Sequence, residues 1–234
     1  MATVEWGNQL TNLDYSIEYY NEHKNAGLDY LGHGYWQKSY AEMVTAATLQ
    51  NTFENPVFFD GGCACGSILQ GFKATGAFKQ VVGQDLSAAM VELGREHFGF
   101  AGGEIRQGSI ASVEMPTGSV TLLHSAQVLE HIPDEFTDSI LDEFARLLRP
   151  GGRAFLCLDA IKHGETKEMY MGDPTHFNIK PVAYWTEKLQ TRGLAFDIEA
   201  YDRFVRSSNG PTEGEPLNFF NSYPAWSTWT LYRL

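Results

Sequence analysis

The sequence predicts a doubly wound α/β fold, a mostly parallel sheet with helices on both faces, and three observations carry that prediction. Strand-like runs at 57–60, 81–85, 120–124, 154–158 and 195–201 alternate with helical patterns, the order that stacked strand and helix units require. Val57-Phe58-Phe59 is apolar at consecutive positions, as suits a central parallel strand buried on both faces. That run passes directly into Gly61-Gly62-Cys63-Ala64-Cys65-Gly66-Ser67, a glycine-rich turn opening a helix, which is the geometry of a nucleotide cradle.

Ahead of the first strand, Tyr15, Tyr19 and Tyr20 precede an aromatic stretch from Gly32 to Met43. Trp36, Tyr40, Met43 and Ala47 recur at helical spacing, so this stretch is either an amphipathic helix packed on the sheet or a lid over the site. Residues 1–50 are accordingly assigned to an N-terminal helical cap and 51–234 to the sheet domain, one compact unit overall. After the cradle, Val81-Val82-Gly83-Gln84-Asp85 forms the second strand, and Ser87 is placed to cap the next helix. A short strand around 104–106 and the apolar run 120–124 follow. Phe136, Ile140, Phe144 and Leu147 then recur at helical spacing, and Pro150-Gly151-Gly152 stops that helix before 154–158. Pro181 opens and Gly193 closes a further helix, with Trp185 and Leu189 on one face. Residues 207–224 concentrate Asn, Gly, Pro and Ser as a long loop or lid, and 225–232 is an aromatic and β-branched strand.

The cradle's spacing is G-x-A-x-G, whereas a dinucleotide site requires G-x-G-x-x-G. Asp85, 25 positions after Asp60, stands at the tip of the second strand, where a carboxylate offers two acceptor oxygens to a vicinal diol. The plainer reading of Asp85 is an acid that ends a strand and caps a helix.

The hydrophobic strand ending in Asp60 with its glycine turn, Leu129-Glu130-His131-Ile132, and Arg146-Leu147-Leu148-Arg149-Pro150-Gly151-Gly152 together resemble class I S-adenosylmethionine-dependent methyltransferases of the small-molecule type. The resemblance covers roughly 55–158. It implies a Rossmann-like, seven-stranded sheet whose last strand, 225–232, is antiparallel. It also implies S-adenosylmethionine as methyl donor and S-adenosylhomocysteine as product. The donor contacts it implies are Asp60, Gly62, Cys63, Ala64, Gly66, Asp85, Leu86, Ser109, Ile110, Gln127 and Tyr20. Three positions depart from the pattern: Ala64 replaces the middle glycine, Thr121 replaces an acid of the fourth strand, and Ser109 stands where an acid often meets adenine.

The acceptor side centres on Met171 to Pro181, which follows the fifth strand and resembles the Asp-Pro-Thr-His loop of methyltransferases acting on sugars and other small metabolites. Methyl transfer needs in-line alignment within about 3–3.5 Å. A hydroxyl or ammonium acceptor also needs a base, which a histidine suits, and His176 and His131 are the catalytic candidates. The alternatives are that His176 only braces its turn and that Glu130 only caps the helix after Pro133. Tyr19, His33, Tyr35, Trp36 and Trp185 are candidate substrate contacts, since aromatic walls hold a cationic amine or a sugar or aromatic hydroxyl. No metal is expected, because the histidines are scattered without ligand spacing.

Composition narrows the partners. A formal charge of −12 and no dense Lys/Arg cluster argue against nucleic acid, leaving a small-molecule acceptor. With 43% apolar residues the 234-residue chain can build one sizeable core. It shows neither an 18-residue apolar run nor a leader-like start, so a cytoplasmic protein away from the membrane is expected, and a homodimer stays compatible. Cys63, Cys65 and Cys157 fit a reducing compartment. Two rivals remain open, a non-catalytic S-adenosylmethionine-binding partner subunit and a different sulfonium-using enzyme on the same fold; a nicotinamide oxidoreductase is disfavoured by the turn's spacing.

Overall fold

The computed structural model describes residues 31, 34–170, 175–176, 178–208 and 226–234. Its helices are α1 (Gly34–Thr48), α2 (Ser67–Ala74), α3 (Ala88–Phe98), α4 (Asp134–Leu147), α5 (Val182–Gln190) and α6 (Ile198–Ser208). Its strands are β1 (Val57–Gly61), β2 (Gln80–Asp85), β3 (Ile105–Gln107), β4 (Val120–Ala126), β5 (Leu148–Asp159), β6 (Leu194–Phe196) and β7 (Trp226–Arg233). The strands form one sheet in the order β3-β2-β1-β4-β5-β7-β6. Neighbours from β3 to β5 pair parallel, and β7 runs antiparallel to both β5 and β6.

The consecutive apolar residues of β1 do what their pattern predicts. Phe58 pairs with Leu122 and Phe59 with Leu123, and the two pairs enter cores on opposite faces of the sheet. One core gathers Phe59, Leu123, Ile140, Phe144, Trp185, Leu189 and Trp229 beneath α4 and α5. The other gathers Phe58, Leu122, Tyr40, Val44, Phe72, Phe155 and Phe204 beneath α1, α2 and α6. Each phenylalanine buried in this way contributes about 1.5–3 kcal/mol relative to exposure. Tyr40, Ala41, Val44 and Ala47 of α1 are all within 2% of full burial, so α1 is a layer of the core.

Two segments differ from the sequence expectation. The run 195–201 is strand only through Phe196, after which the chain turns into α6. Asp197 causes the switch, because its Oδ1 accepts the Ala200 N–H at 2.9 Å as a helix N-cap does, while Asp197 N–H donates back to Thr230 O. β5 begins at Leu148 rather than 154. Its register jumps from Val120↔Leu148 to Leu122↔Arg153, so Pro150 and Gly151 bulge out of the ladder instead of ending it. Residues 209–225, the predicted loop or lid, lie outside the described residues.

Strand order reverses between β1 and β4, since β2 lies to one side of β1 and β5 beyond β4. Open α/β sheets bind ligands at the carboxyl ends of the strands where the order reverses.

Candidate active site

The cradle occupies that position. Gly62 N–H donates to Gln84 O at 2.9 Å, and Gly66 N–H donates to Cys63 O at 2.8 Å. Gly62 and Gly66 both sit at positive φ, 80° and 78°, which glycine adopts without strain. The space that a Cβ would fill at each is already taken, by Val128 at Gly62 and by Phe100 at Gly66. These glycines therefore let the protein close on its own loop. Cys63 and Cys65 are buried packing residues. The loop also rests on a helix: a Cβ on Gly94 of α3 would lie 2.2 Å from the Cys65 carbonyl oxygen.

Ala64 stands at φ 47°, left-handed despite its Cβ, and Gln127 at the end of β4 at φ 56°. Strained backbone of this kind concentrates at functional sites. Asp85 holds the strained loop in place, accepting Ala64 N–H at Oδ2 and Ser87 N–H at Oδ1, each at 2.8 Å. Its second lone pair on each oxygen is what a ribose diol would use. Burial pushes the Asp85 carboxyl up, against the two backbone N–H groups that pull it down. Ser87 also caps α3, accepting Met90 N–H at 3.3 Å.

Other expected donor contacts have structural partners. Gln84, buried in β2, donates to Ser109 O at 2.6 Å and so pins the turn after β3 beside the cradle. Ile110 is 5% exposed and belongs to the core, and Leu86 packs against the same cluster. The Gln127 side-chain nitrogen is buried with no hydrogen-bond partner among the described residues.

Asp60 has a different role from the one the sequence suggested. It is 3% exposed, and its Oδ1 lies 2.8 Å from His124 Nδ1. His124 Nε2 in turn lies 2.7 Å from the Tyr40 hydroxyl. His124 thus donates to the carboxylate and accepts the tyrosine proton, closing a buried chain from β1 through β4 to α1. Asp60 is committed to this chain and is a structural anchor for the strand beneath the cradle.

A second polar group lies past the end of β4. Glu130 is fully buried, its Oε1 accepting Asp159 N–H at 3.2 Å, so it is no exposed cap for α4. Its Oε2 has no partner among the described residues. Burial, reinforced by Asp159, pushes the Glu130 carboxyl up to about 8. His131 Nδ1 lies 2.7 Å from Thr175 Oγ1, and His176 Nδ1 lies 3.5 Å from Asp159 Oδ2. The two imidazoles meet edge to face with centroids 4.6 Å apart. Asn178 ties the returning loop down through its N–H to Glu130 O and its amide to Leu129 O and Thr137.

The structure therefore brings His131 and His176 together with Glu130, the sequence neighbour of His131, and adds Asp159 and Thr175, which were not site candidates. Asp159 was findable, as an acid ending a parallel strand like Asp60 and Asp85. Trp185, a candidate substrate contact, is 1% exposed in the core under α5 and lines no acceptor wall, because α5 turns that face onto the sheet. Tyr19, Tyr20 and His33 lie outside the described residues, as do the side chains of Tyr35 and Trp36.

Residues 59–156 match the family model described as a methyltransferase domain. That stretch of the chain resembles a methyltransferase domain. Over 90 residues it is 37% identical to an arsenite methyltransferase of Aquipseudomonas alcaligenes, a match spanning 34% of this chain and 25% of that protein. The geranyl diphosphate C-methyltransferase of Streptomyces coelicolor A3(2), solved with Mg2+, geranyl diphosphate and S-adenosyl-L-homocysteine, shares its fold. The TM-score is 0.61 at 15% identity, covering 85% of this chain and 79% of that one. Phosphoethanolamine N-methyltransferase 2 of Haemonchus contortus, solved with S-adenosyl-L-methionine, aligns at TM-score 0.58 and 16% identity over 83% of this chain and 52% of that one. The [4+2]-cyclase SpnF aligns at TM-score 0.58 and 15% identity, over 84% and 80% of the two chains. The fold is thus shared with proteins of more than one activity.

Proposed function

We propose that this chain is an S-adenosylmethionine-dependent methyltransferase acting on a small molecule. The observation that carries the reading is the pairing of two groups at one strand-order reversal: a strained cradle pinned by Asp85 after β1, and a buried Glu130, His131 and His176 group after β4. S-adenosylmethionine, which accompanies the Haemonchus relative, fits the first. Gly62, Cys63, Ala64 and Gly66 would supply backbone to its methionine part, and Asp85 would take the ribose hydroxyls. Leu86, Ser109, Ile110 and Gln127 would flank the adenine, with Tyr20 from the amino-terminal segment.

A sulfonium methyl is already activated, so the protein's work is alignment and proton removal. His176, braced at Nδ1 by Asp159, and His131, braced at Nδ1 by Thr175, would orient an acceptor hydroxyl or amine and receive its proton. Residues 1–33, with Tyr19 and His33, and the start of α1, with Tyr35 and Trp36, would close the acceptor side, while α1 from Tyr40 onward belongs to the core. A carbon acceptor, as in the geranyl diphosphate enzyme, makes less use of so polar a group than a hydroxyl or amine does. Arsenite is not carried over, because all three cysteines are buried and burial raises their thiols, Cys65 to about 11, away from the thiolate that would bind arsenic.

Calorimetric titration with S-adenosylmethionine, S-adenosylhomocysteine and NAD tests the donor, with binding expected for the two adenosyl ligands. A mass-spectrometric screen for metabolites gaining one methyl tests the reaction. Failure to bind either adenosyl ligand rejects the proposal. Binding without any methylated acceptor favours the second reading, a cofactor-holding protein without methyl transfer, which the fold shared with a cyclase keeps in play.

A further inference from the structure

The donors past β4 converge more tightly than a single catalytic base requires. One donor atom each from Glu130, His131 and His176 lie within 4.8 Å of one another. We propose that these three residues bind a divalent transition-metal ion, zinc foremost, which holds the acceptor's oxygen or nitrogen at the methyl-transfer site. The inference rests on the methyltransferase reading above.

Four observations converge on it. Two imidazoles and one carboxylate make the mixed nitrogen and oxygen set that zinc and ferrous iron take when a position is left for substrate. Each ring has its Nδ1 against an oxygen, Thr175 Oγ1 for His131 and Asp159 Oδ2 for His176, so Nε2 is the nitrogen an ion would take on both. Metal-binding histidines are characteristically braced in this way through their other nitrogen. Glu130 Oε2 is fully buried with no partner among the described residues, a costly arrangement for a polar group unless a ligand completes it. Finally, the ligands come from the end of β4 and from the loop that Asn178 fastens to Glu130 and Leu129, so their separation is fixed by backbone hydrogen bonds.

With the ion in place the rings are ligands, and the ion takes over proton control by making a bound acceptor hydroxyl more acidic. The acceptor's proton leaves to water, the oxygen's electron pair forms the new bond to the methyl carbon, and the carbon–sulfur bond's pair stays on sulfur. Asp159 is a positioning residue that acts through His176.

The full-length protein, stripped with a chelator, is dialysed against Zn2+ alone and its metal content measured, and S-adenosylmethionine is titrated into the same samples. One equivalent of zinc is expected, with affinity falling more than about tenfold in His131→Ala and His176→Ala and about 10–100-fold in Asp159→Asn, while donor binding is retained. No stoichiometric uptake, or uptake indifferent to both histidine substitutions, overturns the inference. Should a variant fail to fold, Co2+ bound to the wild-type protein decides. The absorption of a four- or five-coordinate nitrogen-ligated ion supports the site, and a spectrum like that of aqueous Co2+ overturns it. Wild-type protein that takes up no metal but binds the donor sinks this inference alone, whereas wild-type protein that binds no donor sinks the functional reading.

Discussion

Two buried acids beside histidines lie near the carboxyl ends of neighbouring strands, and they are built to opposite ends. Asp60 faces His124, His124 faces Tyr40, and the chain is closed inside the core. Glu130 sits as deep, yet one of its oxygens has no partner among the described residues and two imidazoles stand beside it. A polar group whose bonds are all made holds a fold together; one with a bond outstanding costs stability and is kept for what it binds. The first cluster belongs to the architecture and the second is the one proposed for chemistry, although the sequence marks both with the same residue types.

The largest expected effect is on the open cluster. His176→Ala should lower methyl transfer by about 10²–10⁴-fold, with little change in unfolding midpoint; an unchanged rate with the acceptor found by screening would erase the contrast. The closed cluster should answer in stability instead. His124→Leu leaves the Asp60 carboxylate and the Tyr40 hydroxyl without their shared partner, at about 2–5 kcal/mol, read from urea unfolding. A loss below about 1 kcal/mol would show that the chain is not the anchor described. Asp85→Ala should weaken S-adenosylmethionine binding by about 1–3 kcal/mol by calorimetry, and unaltered affinity would remove Asp85 from the donor site. The smallest effect is at Ala64, where glycine should relieve the left-handed backbone and stabilise the fold by about 0.5–1 kcal/mol. A destabilised Ala64→Gly protein would mean that the methyl packs rather than strains.

The sheet was legible because its signals are local. A run such as Val57-Phe58-Phe59 declares a doubly buried strand within three residues, and all seven strands could be placed from such runs. What escaped was either a single residue outvoting its neighbours or a contact between distant ones. Asp197 ended β6 and started α6 by one side-chain bond, against a run that otherwise favours a strand. His124 is one polar residue in a largely apolar strand, and its partners lie 64 positions before it at Asp60 and 84 before it at Tyr40. The donor side could be read from one motif because the turn and Asp85 are joined by two adjacent strands. The proposed acceptor side draws on residues 130–131, 159 and 175–176, so His131 and His176 could each be nominated but their meeting beside Glu130 could not.

The contact between the cradle and α3 has a mechanical consequence. Cys65's carbonyl lies against Gly94 in the middle of that helix, and Gly66 lies against Phe100 just beyond its end. The loop is therefore clamped at two points to a single lever, main chain against main chain at one of them, where no side chain can flex to absorb a displacement. Any loosening at the far end of α3, some distance from the donor, would be transmitted as a change in the loop's grip.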